Sequence, residues 1–138
     1  MVVPRFVEAA IKNEPIEVHG DGTQSRCFGH IADVVDGLTK MLETPACFGE
    51  VINLGSDAEV TINDLAKRAV ALTGSSSEIK HIPYSEAYGE GFEDMQRRVP
   101  ALDKAKRMIG YQPTHTLDDI INDVAAEMRA DVSRTQNA

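Results

Sequence analysis

The stretch that most restricts what this chain can fold into is Glu14–His30, EPIEVHGDGTQSRCFGH. Ile16 and Val18 alternate with Glu17 and His19, the period of two that lets a strand bury one face and wet the other. Gly20-Asp21-Gly22 follows at once, and glycine there supplies the positive φ of a tight turn. The chain therefore reverses here. Thr23, Gln24 and Ser25 place hydroxyl and amide groups beside the turn, and Arg26 adds a planar multi-donor fork that matches phosphate or carboxylate oxygens. An anion is the natural guest of such a turn, although the same residues also suit an ordinary reversal carrying a solvated surface arginine.

Around this stretch the pattern is mixed α and β without repeats. Pro4 suits the first turn of a helix bearing Phe6, Val7, Ala10 and Ile11 and ending before Pro15. Ile31, Val34, Val35, Leu38 and Leu42 mark a second helix closed near Thr44-Pro45, and both helices are expected to pack into a core. Asp33 either caps the second helix or contacts a neighbouring segment, the cap being the simpler reading. Val51, Ile52 and Leu54 in GEVINLG read as a buried strand, and Thr61-Ile62-Asn63-Asp64 as a capping box opening a helix over Leu65 to Leu72 that stops at Gly74. Ile79 and Ile82, with His81, form a short strand before Pro83.

Tyr84 to Pro100 reads as a long irregular segment with Glu86, Glu90, Glu93 and Asp94 crowded together. Connections of that length are functional loops or disorder, and a solvated acidic loop is the plain alternative to a flap over a ligand. Its acids can pair with Arg97 or Arg98 when no ligand is bound. Leu102 to Ile109 is a short basic helix stopped by Gly110. Thr116, Asp118 and Asp119 then open a last helix carrying Leu117, Ile120, Ile121, Val124 and Met128. The expectation is one α/β domain over 1–132 and a polar tail over 133–138.

The hydrophobic content of 42% suits a globular core, with no apolar run of membrane length and no signal peptide, which gives an expected cytoplasmic address without membrane partners. Cys27 and Cys47 show no disulfide-scaffold spacing and read as reduced thiols. A net charge of −8 argues against nucleic acid, which needs clustered Lys and Arg. Cys27-x-x-His30 lacks finger or ribbon spacing, so no metal is expected. No glycine-rich dinucleotide fingerprint follows a strand, and no Tyr-x-x-x-Lys occurs.

Val3-Pro4-Arg5-Phe6, EPIEVHGDGTQSR, CFGHIADVV, GEVINLGS, TINDLAKRAVALTG and RRVPALDKAKRMIGYQP occur in an order and spacing that together resemble the C-terminal half of extended short-chain dehydrogenase/reductases. These are the NAD-dependent enzymes that epimerise, dehydrate or decarboxylate nucleotide sugars. The resemblance implies a small α/β substrate-binding domain whose Rossmann half is missing. It also implies that Arg26 contacts the diphosphate, that His19 lies by the base where the family has Tyr or Phe, and that Pro15 and Ile16 line the nucleoside pocket. Arg98 is a second diphosphate ligand, with Arg97 as its alternative; Ala101 stands where the family has Asp.

No catalytic residue is carried by this chain in that reading. NAD belongs to the longer parent, none being expected on this fragment, and the chemistry is a transient oxidation of the sugar. UDP-sugar 4-epimerisation ranks first, then 4,6-dehydration of dTDP-glucose and decarboxylation of UDP-glucuronate. The rivals are a stand-alone, non-catalytic nucleotide-sugar-binding module and a self-associating module that covers its own apolar face as a homo-oligomer.

Overall fold

The computed structural model describes residues 1–91 and 94–136, with side chains up to Asp131. Glu93 of the acidic cluster and the last two tail residues lie outside the described residues. Helix α1 (Val2–Ile11) leads into strand β1 (Ile16–His19), which turns into β2 (Ser25–Cys27). Helix α2 (Ile31–Glu43), strand β3 (Glu59–Thr61) and helix α3 (Ile62–Thr73) follow, then β4 (Ile79–Ile82), α4 (Tyr84–Tyr88), α5 (Asp103–Ile109) and α6 (Leu117–Gln136). α6 thus continues to Gln136, past Ser133, the expected start of the tail.

The strands form two separate pairs. β1 and β4 are parallel, with Ile16 opposite Ile79 and His19 opposite Ile82, while β2 and β3 are antiparallel with Ser25 opposite Thr61. The alternation in β1 is realised as expected: Ile16 and Val18 are fully buried and Glu17 and His19 face outward. Against them pack Phe6 and Val7 of α1, Leu65, Ala66 and Ala69 of α3, and Ile121 of α6. Burying a side chain such as Ile16 or Leu65 completely contributes about 1.5–3 kcal/mol relative to exposure, so this three-helix cover is what holds β1 in place. A smaller core gathers Leu102, Ala105 and Tyr111 with Ile52 and Leu54.

Termini follow the expected chemistry. The Thr61 hydroxyl accepts from the Asp64 amide at 3.0 Å and Gly74 closes α3 at φ 68°. At α6, Thr116 and Asp119 cap each other reciprocally: the Asp119 amide donates to the Thr116 hydroxyl oxygen at 3.2 Å, and the Thr116 amide donates to the Asp119 carboxylate at 2.7 Å.

Four expectations are corrected. α2 forms, but its apolar stripe Ile31, Val35, Leu38 and Leu42 is exposed rather than packed; the buried residues Asp33 and Gly37 lie on the opposite side of the helix and make its contact with the rest of the chain. A Cβ on Gly37 would sit 2.9 Å from both Leu54 and Tyr111, so only glycine permits that approach. Asp33 is not the cap: the His30 ring accepts from the Ala32 amide at 3.1 Å, and Asp33 holds Thr114 and His115 across the fold. Val51 to Leu54 is not a strand, because no other strand reaches it; Val51 is 85% exposed. Tyr84–Tyr88 is a helical turn instead of irregular chain, opening directly after Pro83. Among the described residues no helix is long and apolar enough to cross a membrane.

Candidate functional site: an arginine- and tyrosine-lined cleft beside the first strand

A cleft of about 880 Å³ opens where the C-terminal end of β1, the start of α1 and the segment after β4 converge. Its polar wall carries Arg5, His19, Arg26, Tyr84, Tyr88 and Arg98 together with the carboxylates of Glu17, Asp94 and Asp123, and its apolar lining includes Phe6 and Ile62.

Each wall residue has a local cause. His19 points into the cleft because it shares the outward face of β1 with Glu17. Tyr84 can lie over the turn only because residue 20 is glycine: a Cβ there would come within 2.5 Å of the Tyr84 ring. Pro83 sets Tyr84 and Tyr88 one helical turn apart, and the His19 and Tyr88 rings meet edge-on at 5.2 Å.

The hydrogen bonds fix the His19 tautomer. Arg5 Nη2 is 3.3 Å from His19 Nε2 and, being always protonated, must donate; Nδ1 therefore carries the proton and donates to the Tyr88 hydroxyl at 2.9 Å. Burial, then the Arg5 charge, lowers the His19 pKa, so the ring is neutral and offers an uncharged aromatic surface. Burial likewise raises the Tyr84 phenol, with Asp94 adding to it.

Arg26 is the most enclosed cation of the wall, its side chain 14% exposed. It donates through Nη1 to the Ser25 carbonyl at 2.7 Å and through Nη2 to Asp94 Oδ2 at 2.6 Å. Arg97 points elsewhere, gripping Glu59 through Nε at 3.1 and 2.9 Å and Nη2 at 2.6 Å. The acids of the 84–100 segment thus pair differently from expectation: Asp94 takes Arg26, and Arg97 is held by Glu59 of β3.

Of the expected site residues, the structure brings His19, Arg26 and Arg98 to one cleft. It does not bring Ile16 there: the side chain is fully buried, because the same period of two that exposes His19 turns Ile16 inward. Pro15 is exposed beside a separate hollow shared with Arg5 and Glu17. The turn's other polar groups are committed internally, Thr23 to Asp21, Gln24 Nε2 to the His19 carbonyl and Ser25 to Glu59. Gln24 Oε1 is the one buried side-chain oxygen without a partner among the described residues.

Arg5 is a cleft residue to which the sequence reading assigned no role, and Tyr84, Tyr88 and Asp94, expected only as part of a segment that could cover a ligand, line the cleft individually. The signal for the tyrosines was their spacing of four directly after a proline.

A family model described as GDP-mannose 4,6 dehydratase matches residues 1–124. The chain belongs to the extended short-chain dehydrogenase/reductase family. UDP-N-acetyl-alpha-D-glucosaminuronate decarboxylase of Bacillus cytotoxicus is 38% identical over 112 residues, 81% of this chain and 35% of that protein. The crystal structure of UDP-glucose 4-epimerase from Thermotoga maritima with UDP-glucose matches at TM-score 0.83 and 26% identity, over 96% of this chain and 40% of that one. An epimerase from Methanothermobacter thermautotrophicus, at TM-score 0.87 and 24% identity, covers all of this chain and 40% of its own, and supports the fold. The chain spans well under half the length of the family members it matches.

Two solved structures with this fold, UDP-glucuronic acid 4-epimerase from Bacillus cereus and dTDP-glucose 4,6-dehydratase from Bacillus anthracis, are complexes with NAD. The turn after β1 does not fit that cofactor: Gly20 and Gly22 adopt φ of 76° and 72° but lead into β2, whereas a dinucleotide cradle needs glycines opening a helix N-terminus.

Proposed function

We propose that this chain is the nucleotide-sugar-binding portion of a longer NAD-dependent epimerase, dehydratase or decarboxylase, and that it grips substrate rather than performing chemistry. The observation that carries the reading is the convergence of Arg26 and Arg98 with the neutral His19–Tyr88 pair on one cleft. A diphosphate needs guanidinium donors, and a base needs an uncharged aromatic edge or face beside it. Binding energy gathered at the diphosphate would fix the sugar against reacting groups elsewhere in the parent.

The substrate class in this reading is a UDP-sugar. The sequence reading puts 4-epimerisation first; the second reading is decarboxylation, favoured by sequence relatives at 33–38% identity that are UDP-uronate decarboxylases. The partner in this reading is the remainder of the parent, including its Rossmann half. The exposed stripe Ile31, Val35, Leu38 and Leu42 supplies an apolar face for it.

Calorimetric titration with UDP, UDP-glucose, UDP-glucuronate and NAD tests the grip. The UDP compounds bind in this reading and NAD does not, and Arg26→Ala weakens UDP by roughly tenfold or more, the usual loss for a charge-assisted phosphate contact. UDP binding untouched by Arg26→Ala would refute it.

A further inference from the structure

Asp94 lines the cleft and pairs with Arg26 there. Its Oδ2 takes the 2.6 Å bond from Arg26 Nη2 and lies 3.4 Å from the Tyr84 hydroxyl, while Oδ1 accepts from the Met95 amide at 2.8 Å. The carboxylate is therefore divided: one oxygen is tied to its own backbone, and the other bridges to the cleft. Arg26 has its second Nη on the Ser25 carbonyl, so Asp94 holds the direction of the fork that faces the cleft. Arg98, on the same wall, makes no ion pair among the described residues.

We propose that Asp94 is a built-in competing anion, which neutralises Arg26 in the empty cleft and is displaced by the diphosphate of the ligand. This rests on the reading of the cleft as a nucleotide-sugar site and adds how that site is regulated. The physical case is one of exchange. A largely enclosed guanidinium on the cleft wall would be poorly solvated, and pairing with Asp94 stabilises it. An incoming diphosphate must break that pair, so apparent affinity is reduced by the fraction of molecules in which Arg26 is already engaged. Arg98 offers the arriving phosphates a second cation, and the bond to Met95 keeps the displaced carboxylate near its place.

The test compares UDP and inorganic pyrophosphate binding to the wild type, Asp94→Asn, Arg26→Ala and the double variant by calorimetry. Asp94→Asn keeps the shape and the Met95 contact but removes the charge. It should tighten both ligands roughly two- to fivefold, the worth of a partly exposed ion pair, and the gain should vanish in the Arg26→Ala background. Unchanged or weaker binding to Asp94→Asn overturns the proposal and makes Asp94 a residue that aims Arg26 instead. A gain that persists without Arg26 overturns it as well, leaving only a general charge effect. Failure of the underlying reading looks different: UDP then binds the wild type and Arg26→Ala alike, or binds none of the four proteins, and the proposal falls with it. A separate readout comes from phenylglyoxal. Arg26 should be modified faster in Asp94→Asn than in the wild type, and equal rates would show that Asp94 does not shield it.

Discussion

The pKa values of two histidines of this chain, His19 and His115, are moved in opposite directions by their surroundings. Burial raises the buried Asp33 carboxyl, but bonds from the His115 ring and amide and from the Thr114 amide and hydroxyl reverse this and leave it well below the usual carboxylate range. The hydrogen bond from His115 Nδ1 to Asp33 in turn raises the His115 pKa above 6.5. Its stabilising contribution is complete below pH 6.5 and fades as pH rises through the raised folded value. The contribution from Asp33 is complete above pH 3.8 and is lost only as pH falls through the depressed folded value. His19 works oppositely to His115: the unfolded chain takes up a proton below pH 6.5 that the folded ring resists, so acidification costs stability there. NMR titration should place the His115 midpoint above 6.5 and that of His19 below it; coincident midpoints would contradict both environments. Asp33→Asn should return His115 toward its ordinary value and cost about 2–3 kcal/mol in urea unfolding, since several donors lose a charged, buried acceptor.

At the scale of elements, what the chain spells locally is what could be read from it. The β1 alternation, the Gly20–Gly22 turn, the Thr61 cap, and the stops at Gly74 and Gly110 each depend on residues a few positions apart, and each forms as expected. Elements whose state depends on a distant partner were not legible. The apolar period of α2 announces a helix with a sticky face, yet says nothing about what covers it; Val51 to Leu54 has the composition of a strand and no neighbour to pair with. The same limit explains the site: Arg26 and His19 stood out beside their turn, whereas Asp94 and Tyr84 reach the cleft only through tertiary approach. The turn itself tolerates little. Gly22 has φ 72°, and a Cβ there would collide with the Asn63 amide. That amide donates to the Asp21 carbonyl at 2.9 Å and meets His81 Nε2 at 2.8 Å, tying the turn to α3 and β4. Gly22→Ala should therefore cost roughly 1–3 kcal/mol and lower the melting temperature by several degrees. Gly49→Ala, with φ 80° but open space around it, is the control that isolates backbone strain from the collision. An equal loss in both would assign the whole effect to φ.

At the scale of the molecule, the chain carries two cores and leaves one apolar face uncovered. The main core is closed by α1, α3 and α6, while α2 and Val51 lie over the smaller core with their own hydrophobic side chains turned out. Ile31 and Leu42 are 70% and 77% exposed and Val35 and Leu38 about half, and their helical spacing puts these four on one side of α2 as a stripe rather than scattered residues. Water around such a stripe is released when another surface meets it, at roughly 25 cal/mol for each Å² of apolar area covered. If the remainder of a longer parent is the intended cover, the isolated chain has only copies of itself. Sedimentation velocity should then show a mass that rises with concentration from the 15.0 kDa monomer. Leu38→Glu combined with Leu42→Glu should abolish the rise by placing like charges face to face. Because both side chains are already exposed, the double variant should leave thermal stability within about 0.5 kcal/mol of the wild type. A wild type that stays monomeric throughout would mean the stripe is tolerated in water. A double variant that melts much earlier would mean that α2 packs in solution against its own chain, and that its outward face is not an interface at all.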